Sequence, residues 1–252
     1  MSAYEKVLLA RAKDRPTGLS YIQGIFPDFL ELHGDRRFGD DPAIVGGIAT
    51  LEGLPVTVIA MEKGGDTKER LRRNFGMPNP EGYRKALRLM KQAEKFHRPV
   101  VCLVDTSGAY CGLGAEERGQ GQAIAENLLE MVDLKTPIVS ILIGEGGSGG
   151  AIALALADQV WILENAVYSV ISPEGCASIL WKDAKRVKDA ADCLRLTAQD
   201  MEALGVVERV IPEGDGAACG AIREGLLGLL PQLLALPPEE LLAQRYQRFR
   251  KF

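Results

Sequence analysis

Between Ile138 and Ala155 the chain passes from a β-branched apolar run (Ile138–Ile143) through five glycines in seven residues (Gly144, Gly146, Gly147, Gly149, Gly150) into a second apolar run rich in alanine. The first run predicts a buried strand and the last a helix. A strand feeding a glycine-dense turn into a helix start aims several backbone N–H groups at one spot. Without Cβ atoms there, a ligand oxygen can approach the main chain closely. The stretch therefore points to an anion or oxyanion held by main-chain donors in an α/β fold.

Three parses of the turn remain open on its residues. Gly144, Gly146 and Gly149 spell G-x-G-x-x-G, and Glu164 stands 20 positions after Gly144, the pattern of a dinucleotide site. The predicted helix of about nine residues before Asp158 is short for that crossover. Gly146-Gly147-Ser148-Gly149-Gly150 also spells G-x-S-x-G, a nucleophile elbow. A serine nucleophile needs a base, and the chain has only His33 and His97, both before the turn. Ser148 is otherwise a small residue in a crowded turn. The third parse makes Gly149 and Gly150, at the helix start, an oxyanion hole that needs no side-chain base.

The remaining sequence narrows the class. With 252 residues, 46% hydrophobic and 25% charged, the chain reads as a globular protein of one large or two small domains. A net charge of −4 lacks the basic footprint of a general nucleic-acid binder. No apolar run reaches about 18 residues, so no transmembrane helix is expected, and the first residues lack a signal-peptide core. The five cysteines (Cys102, Cys111, Cys176, Cys193, Cys219) show no CxxC spacing, which reads as reduced thiols in a cytoplasmic protein. No metal site is expected in this chain, since neither histidine stands beside a cysteine.

In chain order, residues 1–15 predict a helix broken at Pro16, and Tyr21–Leu32 a helical spacing interrupted by Pro27. Ala43–Leu51 and Val56–Glu62 form a predicted hairpin. Lys63–Pro80 is irregular and basic. Its Lys63, Lys68, Arg70, Arg72 and Arg73 read either as a solvated face or as a clamp for phosphates or a partner's acidic surface. Glu81–Phe96 predicts an amphipathic helix, Val100–Val104 a strand, and Asp105–Gly114 a second glycine-rich turn before a helix over Glu116–Val132. Beyond the central stretch come strands at Gln159–Leu163, Ala166–Ile171 and Val206–Ile211. Helices are expected after Ser172, over Lys185–Leu194 and after Thr197, then over Ala217–Leu236 and in the basic tail Glu239–Phe252. Strand pairs ahead of helices suggest stacked ββα units.

Several segments together resemble one family. Gly144–Ala151, Asp105–Gln120, Tyr168–Lys182, Arg72–Pro78, Gly82–Met90 and Ala43–Ala49 are similar to the carboxyltransferase alpha subunit of bacterial acetyl-CoA carboxylase, over about residues 16–250. The resemblance implies a crotonase-like (ClpP/crotonase) ββα superhelix. It would form one carboxyltransferase domain over 1–252, with N-terminal helices in 1–32, a core over 43–212 and C-terminal helices in 217–252. It implies transfer of a carboxyl group from carboxybiotin on a biotin carboxyl carrier protein to acetyl-CoA. The product would be malonyl-CoA, entering fatty acid biosynthesis.

The same resemblance assigns the site. Gly149 and Gly150 fall on the glycine pair that holds the biotin ureido oxygen, and the ureido anion itself would take the substrate proton. Gly108, Ala109, Tyr110, Gly112, Gly147 and Ser148 would line the carboxybiotin side, with Lys68, Arg72 and Arg73 on coenzyme A or a partner. Implied partners are a zinc-bearing beta subunit in an α2β2 heterotetramer, the carrier protein and biotin carboxylase, with ATP bound elsewhere in the complex. Gly150→Val is expected to abolish transfer while sparing the fold. The sequence departs from the family at Ser107 and Cys111, where proline is common, and at Glu62 and Gly65. Rival readings are a non-catalytic subunit of the same fold and a sodium-dependent, membrane-partnered biotin decarboxylase subunit.

Overall fold

The computed structural model describes residues 1–252 apart from the side chain of Asp215. The chain opens with α1 (Ala3–Ala10), capped by Ser2, and α2 (Gly18–Ile25). Glu62 fixes the start of α2 by accepting from the Leu19 amide at 2.6 Å. Next come β1 (Leu30–Glu31), β2 (Ile44–Leu51) and β3 (Leu54–Met61). The β2–β3 hairpin turns at Glu52 and Gly53, both with positive φ (49° and 82°), the geometry that matches strand twist. α3 (Thr67–Arg72) and α4 (Pro80–Lys95) lead to β4 (Val100–Thr106), then α5 (Leu113–Glu117) and α6 (Gln120–Val132) to β5 (Ile138–Gly147). α7 (Ser148–Ala155) crosses to β6 (Gln159–Leu163), and β7 (Val167–Ser169) follows. α8 (Pro173–Trp181), α9 (Val187–Leu194) and α10 (Ala198–Ala203) precede β8 (Arg209–Ile211), α11 (Ala218–Leu234) and α12 (Pro238–Phe249).

The strands form one mixed sheet in the order β1-β2-β3-β4-β5-β6-β8, antiparallel from β1 to β3 and parallel from there on. Every residue of β4 is buried, as a parallel strand covered on both faces requires. α4 packs on β2 and β3 and against α6, while α2 packs on β2–β4 and against α11. A separate small core joins α1 to β7 and α9 through Val7, Ala10, Val167, Ala191 and Leu196. Among the described residues no single helix is long and apolar enough to cross a membrane.

Two expectations need correction. The helix expected over Tyr21–Leu32 ends at Ile25, and Leu30–Glu31 instead pairs with Ile48 and Gly47 of β2. Pro27 cannot continue the α2 ladder, and the Leu32 amide finds the Gly46 carbonyl at 2.8 Å. The helix expected over Glu116–Val132 is split, because Gly119 takes φ 82° between α5 and α6. The strand pairs ahead of helices differ in kind: β2–β3 is an antiparallel hairpin, while β6 and β7 precede α8 without pairing with each other. Farther on, β7 lies parallel to the last three residues of β5 (Glu145–Gly147).

Candidate active site

The site grows from the carboxyl ends of β4 and β5, where open α/β sheets place their ligands. β4 and β5 run in register to Val104↔Leu142, then resume at Thr106↔Gly146. One residue of β4 (Asp105) thus opposes three of β5 (Ile143, Gly144, Glu145), a bulge that lengthens β5 relative to its neighbour. Asp105 fills the bulge. Its carboxylate carbon lies 2.5 Å from where a Gly144 Cβ would stand, and its Oδ1 accepts from the Glu145 amide at 2.8 Å. Gly146 leaves room for the Tyr168 ring, 2.7 Å from its Cβ position. Gly147 sits on the backbone of Ser107 and Gly108, and Gly150 on that of Gly108 and Ala109. The two glycine-rich turns are therefore pressed together main chain to main chain. Only Gly149 of the five has nothing within 4 Å of a Cβ position.

α7 begins with Gly147 as N-cap and no capping side chain. The amides of its first turn, Ser148 to Gly150, are thus left without the side-chain acceptor that helix starts usually carry. Beside them lies a largely apolar cavity of about 460 Å³, lined among others by Ser148, Gly149, Ile152, Tyr168 and Met201. Burial pushes the Tyr168 hydroxyl up to about 12, so it is a neutral group there. The helix is held from outside by buried polar groups. Asn127 Nδ2 donates to the Ala153 carbonyl at 3.2 Å and Ser140 Oγ to the Leu154 carbonyl at 2.6 Å, two of the acceptors that a helix end leaves open. Tyr83 Oη donates to the Gly150 carbonyl at 3.3 Å.

The structure brings Gly108, Ala109, Gly147, Ser148, Gly149 and Gly150 together. Tyr110 and Gly112 sit on the same turn, with the Gly112 Cβ position 2.5 Å from Tyr110 Cζ, so the tyrosine ring needs that glycine. The turn at Ser107 is locked by Thr106, whose Oγ1 donates to the Gly108 carbonyl at 2.7 Å and accepts from the Gly108 amide at 3.1 Å. The three basic residues part company. Lys68 and Arg72 are exposed on α3, Arg72 forked onto Glu69. Arg73 is buried and spent inside the fold, donating to Glu69 at 3.0 Å and to the Pro42 carbonyl at 2.8 Å.

The rival parses fare differently. Ser148 does sit at φ 50°, a strained strand-to-helix elbow. Neither histidine lines the cavity beside it. His33 Nδ1 lies 3.0 Å from Asp40 on the loop after β1, and His97 precedes β4, roughly 20 Å of strand away from the carboxyl end. The eight residues of α7 are short for a dinucleotide crossover. Gly150→Val as a fold-sparing substitution is also overturned, since a Cβ at 150 would stand 2.6 Å from the Gly108 carbonyl carbon.

Sequence reasoning missed an ion network behind the turn. Lys63 Nζ lies 2.7 Å from Asp105 and 3.0 Å from Glu145, and Arg11 joins Glu145 at 2.7 Å to Glu174 at 2.8 Å. Burial works against the Lys63 charge, but Asp105 and Glu145 outweigh it and raise its pKa. For Glu145 burial is likewise outweighed, by Lys63 and Arg11, and its pKa falls. The available signal was position: Lys63, Asp105 and Glu145 each stand where an apolar run ends. Among the described residues, no group of three His, Cys, Asp or Glu side chains gathers as metal ligands.

Known proteins share this fold. The fold is similar to a chain of a Pseudomonas malonate decarboxylase hetero-tetramer solved with coenzyme A, at TM-score 0.73 and 20% identity over 90% of this chain and 91% of that one. The chain is thus a crotonase-like α/β protein with a mixed sheet and flanking helices. It belongs to the acetyl co-enzyme A carboxylase carboxyltransferase-like family, which matches residues 1–252. It is 73% identical to the acetyl-coenzyme A carboxylase carboxyl transferase subunit alpha of Ruminiclostridium cellulolyticum, over 86% of this chain and 83% of that protein. A Natranaerobius thermophilus protein named as fused beta/alpha subunits is 57% identical over 99% of this chain and 42% of its own length. Membership makes the chain a carboxyltransferase subunit of the alpha type, hence part of a transferase.

Proposed function

We propose that the chain, as one domain over residues 1–252, holds the ureido oxygen of a carrier-borne carboxybiotin on the Gly149 and Gly150 amides while its carboxyl group passes to acetyl-CoA. The single observation that carries this reading is the uncapped start of α7 beside open space at Gly149 and a largely apolar cavity. A flat ring with one carbonyl suits such a cavity, and the residues present fit it: amides for the oxygen, Ile152 and Tyr168 for the ring. When bound, biotin supplies the carboxyl donor and a ureido oxygen on which negative charge gathers. The chain's part is electrostatic. Two amides at a helix start stabilise that charge, and a water-poor cleft strengthens their effect. Ser148 lines that cavity, Gly108, Ala109, Tyr110, Gly112 and Gly147 belong to the two turns pressed together beside it and would complete the carboxybiotin side, and Lys68 and Arg72 would offer cations to coenzyme A phosphates or a partner.

The reading includes a zinc-bearing beta subunit in an α2β2 assembly, a biotin carboxyl carrier protein and biotin carboxylase as partners, malonyl-CoA as product and the cytoplasm as location. The fused beta/alpha relative supports the first partner. The test mixes the chain with a beta subunit and follows biotin-dependent conversion of malonyl-CoA to acetyl-CoA. Turnover that needs both chains and biotin supports the reading. No turnover with both chains and biotin present refutes it.

A further inference from the structure

We propose that Lys63 is a positioning residue: by holding Asp105 and Glu145 together it sets the β4–β5 bulge, and through the bulge the aim of the Gly149 and Gly150 amides. The inference rests on the functional reading only for its kinetic consequence.

The chain of contacts is short. Lys63 follows directly on Glu62, just past the end of β3, and its side chain is 19% exposed. Its ammonium bridges two carboxylates from neighbouring strands, Asp105 at the end of β4 and Glu145 inside the β5 bulge. Asp105 in turn receives the Glu145 amide and occupies the volume that any side chain at 144 would need. Two residues beyond Glu145, Gly147 lands on the Ser107–Gly108 backbone, and Gly150 lands on Gly108–Ala109. A bulge is a rigid way to re-aim the chain beside a site, and this one is filled by the Asp105 carboxylate, with Lys63 tying it to Glu145.

The charges around Lys63 come from every side of this corner. Arg11, after α1, shares Glu145 and reaches Glu174 of α8. Arg15 ties the Ile143 carbonyl at 2.7 Å and faces Glu213. Arg70, from α3, donates to the Gly64 carbonyl at 3.1 Å, and with Arg11, Arg15, Lys63, Asp105 and Glu145 it borders a cavity of about 180 Å³. Without Lys63, Asp105 loses its cation while Glu145 keeps Arg11. Two desolvated carboxylates would then face each other across the bulge, and they part most cheaply by moving β5. Lys63 does not line the cavity beside α7, so it acts on the Gly149 and Gly150 amides through Asp105, Glu145 and the β5 backbone.

Hydrogen exchange and kinetics of Lys63→Met test this together. The expected result is exchange of the Glu145–Gly147 amides faster by about tenfold or more, with α4 and α12 unchanged. In the complex with a beta subunit, kcat falls roughly 10- to 100-fold while KM for acetyl-CoA stays within about twofold. Lys63→Arg restores most of both. Wild-type exchange in Lys63→Met overturns the positioning, and so does a uniform rise in exchange over the whole protein that Lys63→Arg fails to correct. Should Lys63→Met not fold, Glu145→Gln keeps the shape and removes the charge that Lys63 holds. Its exchange at 145–147 then decides in the same way. A wild-type complex that turns nothing over would refute the functional reading, while the exchange data would still decide the role of Lys63.

Discussion

Gly149→Ala separates a glycine kept for a ligand from one kept for the chain. A Cβ at 149 meets no heavy atom within 4 Å, and the residue is the second of α7. On the folding side, alanine there narrows the unfolded ensemble and adds about 0.4–1 kcal/mol of stability. In a chain of 252 residues that raises Tm by roughly 1–4 °C. On the site side, the methyl stands on the α-carbon next to the donating N–H, in the space where the anion must sit. Losing one such donor costs about 3 kcal/mol of transition-state stabilisation, or about 10²-fold in kcat. The assay pairs malonyl-CoA formation, with a beta subunit and a carboxylated carrier, with a thermal melt of the alpha chain alone. The expected variant is as stable as wild type or more so, and about a hundredfold slower. Full kcat would refute the role of the amides, and a drop in Tm of about 5 °C or more would refute the open space at 149.

Gly150→Val behaves in the opposite way, because its side chain meets the Gly108–Ala109 backbone. Overpacking there costs about 1–3 kcal/mol or more, so activity and Tm fall together, and an unchanged melt contradicts the packing. Ser148→Gly relieves the positive φ of Ser148, gains about 1 kcal/mol and keeps wild-type kcat, whereas background-level kcat would restore the serine to nucleophile. Replacing Lys68 and Arg72 by alanine leaves Tm nearly unchanged and raises KM for acetyl-CoA or weakens subunit association. Unaltered KM and sedimentation would make α3 a solvated face. Arg73→Ala, by contrast, removes the buried tie to the Pro42 carbonyl and costs about 1–3 kcal/mol in a melt. For Asp35, burial opposes the charge, but Arg84 and the amides of Arg37, Phe38 and Gly39 outweigh it and hold the carboxyl at about 2. A folded-state value below the unfolded value stabilises above the unfolded one. That share of stability is complete above about pH 4 and lost as pH falls toward about 2. Asp35→Asn should therefore melt less pH-dependently than wild type between those limits, and an identical slope in urea melts refutes the assignment.

Local signals made much of the fold legible. The β2–β3 hairpin shows in two β-branched runs around Glu52-Gly53, and α8 and α10 start where Ser172 and Thr197 offer capping oxygens. What stayed hidden depends on distant partners. β1 exists only because Ile48 and Gly47 are there to pair with it. The arginine-rich stretch Arg70–Arg73 reads as one basic cluster, yet the turn of α3 sends Arg73 inward and Arg72 outward. The glycines carry the same lesson. By composition all five of Gly144–Gly150 invite a ligand, but four of them make room for Asp105, Tyr168 and the Ser107–Ala109 backbone. Those neighbours lie on other strands and on the turn after β4, so only the folded chain can sort the four from Gly149.

The same sorting explains how an eight-residue helix can present a catalytic dipole. A helix this short is marginal on its own, and its start has no capping side chain to fix it. Stabilisation of developing charge works only if the donors are already aimed, because reorganisation at the moment of reaction would consume the gain. The chain meets that demand from outside the helix. Asn127 and Ser140 satisfy carbonyls at the far end, Tyr83 holds the Gly150 carbonyl, and the Gly108–Ala109 backbone props the near end. Uncapped amides at a mobile helix would be solvated by water and worth little. Uncapped amides on a helix braced at both ends remain open donors facing an apolar cleft, and that condition, more than the number of glycines, makes the turn suited to an oxyanion.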